Sequence, residues 1–335
     1  MNVFVIDSPL QLLCAEEARS HFKIEPENSF LVVVQHDFEA KMLFTIVKGW
    51  SLEDWPNIVL IAKARVLNVA HLILEVRRVS SLISERVERV FISHDRMLFR
   101  ALGRAVKGEE FWLLDDGTGT LRVVENRKVS PEKLGKRRFK DIIIGGIGLK
   151  GEELKKLNYF TFLDIEPLPG EAVIRHGFPM LREGLPKIKR NPDCVLLLGV
   201  GIVEQGIVTE SEYRSYLDFV EKYYEGKTIY YAPHRVENVQ NLKRRFERSS
   251  IQVLSLSRPI EIELIEQTLP ENPGVLAGFW STAFTTCRAI FGDDLEISAF
   301  RVEESAIQDP FLKEGMNFCY EYFNKIGSIK IVDIQ

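Results

Sequence analysis

Short apolar runs alternate with stretches of helical periodicity along the first part of the chain. The runs predict buried strands, because they are rich in Val, Ile and Phe and are bounded by polar turns. Strands are predicted at Asn2–Asp7, Ser29–Gln35, Asn57–Ile61, Arg89–Ser93, Glu110–Leu114 and Asp141–Ile147. Helices are predicted at Leu10–Phe22, Val69–Glu85 and Arg96–Val106, with an amphipathic stretch that ends near Val47. Strands separated by helices of this length indicate βαβ units and a mostly parallel sheet.

The same alternation returns in the last part of the chain. Strands are predicted at Cys194–Val200, Thr228–Ala232, Ile251–Leu254 and Val275–Phe279, and helices at Ser211–Tyr224, Glu261–Thr268 and Thr282–Ile290. Between the two parts, residues 166–192 lose this period and collect prolines, so we expect a linker there. The pattern predicts two doubly wound α/β domains, residues 1–165 and 193–335, which face each other across a ligand-binding cleft.

Composition narrows the classes of function. The 335 residues are 45% hydrophobic and 27% charged, which suits two full hydrophobic cores. The formal net charge of -4 argues against nucleic-acid binding through bulk charge. No run approaches the about 18 apolar residues of a membrane span, and the N-terminus lacks the basic start of a signal peptide. We therefore expect a cytoplasmic protein with at most peripheral membrane contact.

The spacing of cysteines and glycines argues against the common cofactors. The four cysteines, Cys14, Cys194, Cys287 and Cys319, are scattered without CxxC spacing, which predicts reduced thiols rather than a zinc motif. The first predicted strand leads into a DSPLQ segment instead of GxGxxG, and the GxxxxGK[ST] phosphate loop is absent. The spacing therefore gives no support for a zinc site, and it argues against a nicotinamide cofactor and a P-loop nucleotide.

Two adjacent carboxylates, Asp115 and Asp116, follow the predicted strand Glu110–Leu114. Ligands bind at strand ends in open α/β sheets, and two neighbouring aspartates are hard to ionise together once they are partly desolvated. This position suits a general base or a metal ligand. A plain strand followed by an Asp-Gly turn at Gly117 is the alternative.

A histidine, His234, follows the predicted strand Thr228–Ala232, with Arg235 next to it. An imidazole beside a permanent positive charge suits a phosphate group, as a hydrogen-bond donor or as a proton donor. A capping histidine before the next helix is the alternative. His36 and His94 also stand at predicted strand ends and are secondary candidates.

Hydroxyl groups open the helix that follows the last predicted strand. Ser281 and Thr282 stand at its N-terminus, where free backbone N–H groups and hydroxyls bind anions without a lysine. An ordinary N-cap is the alternative. Gly199 follows the first strand of the C-terminal part and would allow a phosphate or a sugar to approach the backbone.

Taken together, these motifs resemble the bacterial sialyltransferases, and in particular glycosyltransferase family 52. The resemblance rests on the Asp-Asp-Gly segment, on His234, on the opening segment from Ser8 to Leu12, and on Trp280-Ser281-Thr282-Ala283. It spans most of the chain. One departure is that this chain has His-Arg where the related families commonly have His-Pro.

The resemblance implies a B-type glycosyltransferase fold, a plan shared with some sugar-nucleotide epimerases. It also implies an inverting transfer of sialic acid, or a related nonulosonic acid, from a CMP-activated sugar to a glycan acceptor without an essential metal. One of Asp115 and Asp116, with Asp115 favoured, would deprotonate the acceptor, and His234 would stabilise the departing phosphate. The residues expected at the CMP-sugar are Gly117, Gly199, Arg235, Glu261, Glu263, Ser281 and Thr282, and those on the acceptor side are Ser8 and Gln11.

Two other functions fit the same sequence. One is a glycosyltransferase or epimerase that uses a UDP- or GDP-sugar. The other is a non-catalytic sugar-nucleotide-binding protein on the same scaffold. No nucleic-acid partner is expected, and a homodimer is expected from the frequency of dimers alone.

Overall fold

A computed structural model describes residues 1–35, 55–62, 69–128, 154, 156–234, 236–247, 249–256, 258–307 and 309–334. The chain divides into two compact units, Met1–Leu181 and Arg182–Gln335. Both are α/β units with parallel sheets, as the sequence predicts. The predicted strand Asp141–Ile147 and the amphipathic stretch that ends near Val47 lie outside the described residues.

The first unit is built on a seven-stranded sheet with the order β3-β2-β1-β4-β5-β6-β7. Its strands are β1 (Asn2–Ile6), β2 (Ser29–Gln35), β3 (Ile58–Ala62), β4 (Arg89–Ile92), β5 (Glu110–Leu114), β6 (Asn158–Thr161) and β7 (Val173–Arg175). Every pairing within it is parallel. All five residues of β1 are buried, as expected for a central strand whose two faces are both covered by helices.

Helices connect these strands. They are α1 (Pro9–His21), α2 (Val69–Leu82), α3 (Met97–Ala105), α4 (Gly119–Lys128) and α5 (Pro179–Gly184), and a 3-10 turn covers Pro26–Asn28. Helix α1 begins with a capping box, in which the Ser8 side chain accepts from the Gln11 backbone and the Gln11 side chain accepts from the Ser8 backbone. This cap fixes where the chain leaves β1 and enters the helix.

The second unit is built on a six-stranded parallel sheet with the order β10-β9-β8-β11-β12-β13. Its strands are β8 (Asn191–Leu198), β9 (Thr228–Ala232), β10 (Gln252–Val253), β11 (Pro273–Gly278), β12 (Glu296–Arg301) and β13 (Lys330–Asp333). Its helices are α6 (Glu210–Tyr223), α7 (Val239–Arg245), α8 (Ile260–Ile265), α9 (Thr282–Phe291) and α10 (Pro310–Ile326), with 3-10 turns at Gly292–Asp294 and Glu304–Ala306.

The expected linker at residues 166–192 differs from the structure. Within that range Val173–Arg175 pair with β6 and extend the first sheet, and Pro179–Gly184 form a helix. The division between the units falls at Leu181, and β8 already starts at Asn191. The prolines of this range therefore lie within and between short strands and helices. Among the described residues, no helix is both long and apolar enough to cross a membrane.

Candidate active site

The first sheet changes direction between β1 and β4. The chain runs from β1 outward to β2 and β3, and it then returns to place β4 on the other side of β1. Ligands of open α/β sheets bind beyond the carboxyl ends of the strands at such a switch point. Three polar side chains lie there, because Asp7 follows β1, His94 follows β4 and Asp116 follows β5.

His94 joins the two carboxylates at this edge. Its Nε2 lies 2.9 Å from Asp7 Oδ1, and its Nδ1 lies 3.0 Å from Asp116 Oδ2. Burial lowers the pKa of His94, but the hydrogen bonds to Asp116 and Asp7 outweigh it and raise the pKa to about 9. The imidazole is therefore a cation at neutral pH, held between two acceptors.

Gln11 contacts the same carboxylate from helix α1. Its Oε1 accepts hydrogen bonds from the backbone N–H groups of Asp7 (2.6 Å) and Ser8 (3.0 Å). The amide oxygen is thereby fixed in the helix cap, and the Nε2 group donates to Asp116 Oδ1 over 3.0 Å. Ser8 thus acts through the cap, while Gln11 reaches the carboxylate directly.

Asp116 lies in a tight turn that keeps its carboxylate accessible. The turn passes through Gly117 at a φ of 56°, a left-handed conformation that favours glycine. The backbone N–H of Asp116 donates to Thr120 Oγ1 over 3.0 Å. The Asp116 side chain remains 34% exposed. Asp116 is therefore a partly exposed carboxylate whose two oxygens are oriented by His94 and Gln11.

Asp115 has the opposite surroundings. Its side chain is completely buried, and its carboxylate accepts from Thr161 Oγ1 (2.6 Å) and from the backbone N–H of Phe162 (2.7 Å). Desolvation raises the pKa of Asp115 to about 7, although these hydrogen bonds oppose the rise. Asp115 therefore faces the interior beneath the turn.

The second sheet has its own switch point, between β8 and β11. Gly199 follows β8, the segment Ser281–Thr282 follows β11, and His234 follows the neighbouring strand β9. The structure therefore brings three sequence-predicted positions to one edge of this sheet. Arg235, expected to act with His234, lies outside the described residues.

A buried glutamate holds the backbone at His234. Glu237 Oε2 accepts from the His234 backbone N–H over 2.7 Å, and Oε1 accepts from Tyr231 (2.6 Å) and Arg245 (2.7 Å). Both side chains of the Glu237–Arg245 pair are 0% exposed. Desolvation raises the pKa of Glu237, while the hydrogen bonds from Tyr231 and from the His234 backbone act to lower it. The strand end that carries His234 is therefore rigidly supported.

Gly199 supports the same arrangement by having no side chain. A Cβ atom at this position would lie 2.1 Å from Glu237 Oε2 and 2.5 Å from the Tyr231 hydroxyl oxygen. The structure thus gives Gly199 a packing role beside the phosphate role expected from the sequence.

The remaining candidates occupy helix N-termini. Ser281 is the N-cap of α9 and accepts from the Ala283 backbone N–H over 3.2 Å, while Thr282 is exposed in the first turn. Glu263 is buried and bonded to Thr268 and Arg258. Glu261 is half-buried, and desolvation raises its pKa. Of the two glutamates, Glu261 is the less buried.

Sequence reasoning did not include Asp7 and Glu237 in the site, and it included His94 only as a secondary candidate. The sequence offers one indication for His94 and Asp7, because both residues stand at the ends of predicted strands. The register between β1 and β4 was needed to show that they meet. Glu237 stands three residues after His234, a spacing that allows a side chain to bond the backbone at the start of a turn.

Solved structures share the fold at low sequence identity. Arabidopsis thaliana UGT89C1 complexed with UDP-L-rhamnose matches with a TM-score of 0.52 and 10% identity, over 99% of this chain and 85% of that chain. Acinetobacter baumannii MurG matches with a TM-score of 0.47 and 9% identity, over 99% of this chain and 86% of that chain. Escherichia coli heptosyltransferase WaaC with ADP-2-deoxy-2-fluoro heptose matches with a TM-score of 0.44 and 11% identity, over 90% of this chain and 88% of that chain. The UGT89C1 match supports the fold alone, and this fold is of the B-type glycosyltransferase kind.

A family profile assigns the chain more specifically. No curated protein sequence matches it. The profile of the alpha-2,8-polysialyltransferase family matches residues 2–298, which include both strand edges described above. This agrees with the expected likeness to sialyltransferases, while placement in glycosyltransferase family 52 stays a prediction. Because the match covers most of the chain, the protein belongs to the alpha-2,8-polysialyltransferase family.

Proposed function

We propose that this protein transfers sialic acid, or a related nonulosonic acid, from a CMP-activated sugar to a glycan acceptor with inversion at the anomeric centre. The observation that carries the proposal is the partly exposed Asp116 carboxylate, oriented by His94 and Gln11 at a switch point, in a chain of a sialyltransferase family. The family description makes an acceptor that ends in sialic acid, and an α2,8 linkage, the first to test.

Asp116 is the proposed general base. An inverting transfer needs a carboxylate that takes the proton of the attacking hydroxyl, and this group must reach the acceptor. Asp116 is partly exposed and held from two sides, whereas Asp115 is enclosed by Thr161 and Phe162. The proposal therefore moves the base from Asp115, which the resemblance favoured, to Asp116.

His94 and Asp7 position that base. A protonated imidazole between two carboxylates fixes the Asp116 side chain by a charge-assisted hydrogen bond. Gln11 fixes the second oxygen, which leaves the remaining lone pairs of the carboxylate for the acceptor hydroxyl. We assign Ser8 and Gln11 to the acceptor side on these contacts.

The edge of the second sheet is the proposed binding place of CMP. His234 would donate to the phosphate as it leaves, and Ser281 with Thr282 would bind the same phosphate at the N-terminus of α9. Glu261 and Arg235 are the proposed ligands of the nucleoside and phosphate. Gly199 shapes the turn after β8, and Gly117, in the first unit, shapes the turn that carries Asp116. No step of this reaction is assigned to a metal.

Donor specificity tests the proposed function. The full chain is incubated with a sialylated acceptor and, in turn, CMP-sialic acid, UDP-sugars and GDP-sugars, and the products are identified by mass spectrometry. We expect an acceptor lengthened by one or more sialic acids with the CMP-sugar alone. Transfer from a UDP- or GDP-sugar in place of the CMP-sugar would support the alternative, a glycosyltransferase that uses one of those donors.

Binding distinguishes the enzyme from a non-catalytic sugar-nucleotide-binding protein. A protein that is stabilised by CMP but neither transfers nor hydrolyses the CMP-sugar would contradict the proposal. A cytoplasmic location, a homodimer and peripheral membrane contact stay predictions from the sequence.

A further inference from the structure

Three buried side chains converge beneath the Asp116 turn. Cys14 comes from α1, Asp115 follows β5 and His176 follows β7. Each offers one potential ligand atom, and these atoms all lie within 4.8 Å of one another. Asp115 lies 101 positions after Cys14, and His176 lies 61 positions after Asp115, so the fold of the parallel sheet brings the three residues together.

His176 is the anomaly in this group. Its side chain is 3% exposed, and neither ring nitrogen has a hydrogen-bond partner among the described residues. A buried polar group without a partner carries a desolvation cost, and native proteins nearly always satisfy it. The ring stacks on Phe160 with 4.4 Å between centroids, and it contacts Phe178 at 4.7 Å. These aromatic contacts fix the plane of the His176 ring, while neither of its nitrogens takes part in a hydrogen bond with the described residues.

The imidazole of His176 lies beside the Asp115 carboxylate without a hydrogen bond to it. His176 Nε2 lies 3.8 Å from Asp115 Oδ2, which is too far for a hydrogen bond. Two ligands of one tetrahedral zinc ion, each about 2.0–2.1 Å from the metal, are about 3.4 Å apart. A small adjustment of the two side chains would therefore place an ion between them.

We propose that Cys14, Asp115 and His176 bind one Zn²⁺ ion as a structural site beneath the active-site turn. Thiolate, carboxylate and imidazole are ligands that zinc takes in proteins, and the sulfur selects against Mg²⁺ and Ca²⁺. A water molecule would supply the fourth ligand. The ion would join α1, the end of β5 and the segment after β7.

Charge balance supports the same site. The backbone N–H of Asp115 donates a hydrogen bond to Cys14 Sγ. Thiolate and carboxylate together carry two negative charges, which a divalent cation neutralises, and both thiol and carboxyl release their protons on binding.

Cobalt(II) substitution tests the site by a readout independent of catalysis. The full chain is stripped with a chelator and titrated with Co²⁺, and the sulfur-to-cobalt charge-transfer band in the near ultraviolet is recorded. We expect the wild type to bind one Co²⁺ per chain with this band, and added Zn²⁺ to displace it.

The variants are Cys14→Ser, His176→Phe and the control Cys194→Ser. His176→Phe suits its aromatic surroundings, and Cys194 is a buried thiol of β8 in the other unit. We expect Cys14→Ser to lose the band, His176→Phe to weaken Co²⁺ binding by at least about tenfold, and Cys194→Ser to match the wild type. Far-ultraviolet circular dichroism in chelator checks that all variants fold.

Three results would overturn the site. The first is a wild type that binds no Co²⁺, and the second is a thiolate band that survives in Cys14→Ser. The third is a folded His176→Phe variant with wild-type affinity. None depends on sialyl transfer, so failure of the metal site and failure of the proposed function are distinguishable.

Discussion

Asp115 and Asp116 are adjacent in the chain but have different surroundings. Side chains at the end of a strand alternate between its two faces, which sends the first carboxylate inward and the second outward. Asp115 is 0% exposed and bonded to Thr161, while the Asp116 side chain is 34% exposed and bonded to His94. The sequence shows the pair, and the fold gives the two carboxylates different burial and different partners.

Ser281 and Thr282 test the proposed phosphate site. Losing the Ser281 cap costs about 0.5–2 kcal/mol of stability, whereas losing hydrogen bonds to a charged phosphate weakens binding by about 1.5–3 kcal/mol. We predict that Ser281→Ala combined with Thr282→Val reduces the affinity for CMP but leaves that for cytidine nearly unchanged, as measured by calorimetry. Equal losses for the two ligands, or none for either, would leave these residues as a helix cap only.

The residues that sequence reasoning left out of the site depend on long-range register. His94 was visible as a strand-end histidine, but its two carboxylate partners come from β1 and β5, 87 positions before it and 22 after it in the chain. His176 fell in the expected linker, and its partners Cys14 and Asp115 have no motif spacing. A pattern read along the chain cannot show which strands become neighbours.

At the scale of elements, the start of α1 links the fold to the proposed chemistry. The capping box orients the Gln11 amide, and the amide in turn orients Asp116. The Ser-x-x-Gln spacing was available in the sequence as a helix start. That the same glutamine contacts a carboxylate after β5 follows only from the order of the strands.

The loop after β8 depends on the absence of a side chain at Gly199. In Gly199→Ala, the new Cβ would meet Glu237 and Tyr231 at distances well below van der Waals contact. We predict a loss of about 1–3 kcal/mol of stability from overpacking, measured as a lower melting temperature by calorimetry. The control is Gly184→Ala, where a Cβ meets nothing within 4 Å. Equal melting temperatures for the two variants would contradict the packing role.

The His94 cluster makes the stability of the first unit depend on pH. The groups that face the ring are Asp7 and Asp116, and the folded-state pKa of about 9 lies above the unfolded value of 6.5. The stabilisation that the protonated His94 ring contributes to folding is therefore complete below pH 6.5, and it is lost as the pH rises through 9. We predict that the free energy of unfolding falls by about 3 kcal/mol across this window.

Urea unfolding at several pH values measures this effect. His94→Gln, which cannot become a cation, should flatten the dependence, while His71→Gln on the exposed side of α2 should keep it. A wild type with constant stability between pH 6 and 9.5, or a His94→Gln variant that retains the slope, would contradict the assignment.

At the scale of the whole molecule, the division into two parallel α/β units followed from the sequence, because buried parallel strands form continuous apolar runs. The C-terminal elements β12, β13 and α10 were not predicted. The sequence of β12 mixes charged ends with small residues, and β13 is short and half-exposed. Prolines between residues 166 and 192 hid β7, since a three-residue edge strand has almost no periodicity of its own.

The central claim is that Asp116 is the base of a CMP-dependent sialyl transfer. The direct measurement compares initial rates of transfer and CMP affinities for the wild type, Asp116→Asn, Asp115→Asn and the exposed control Asp193→Asn. The account predicts that Asp116→Asn slows transfer by about 10²–10⁴ with CMP affinity unchanged, and that Asp193→Asn matches the wild type. It also predicts that Asp115→Asn mainly lowers the melting temperature. Near wild-type transfer by Asp116→Asn would contradict the claim.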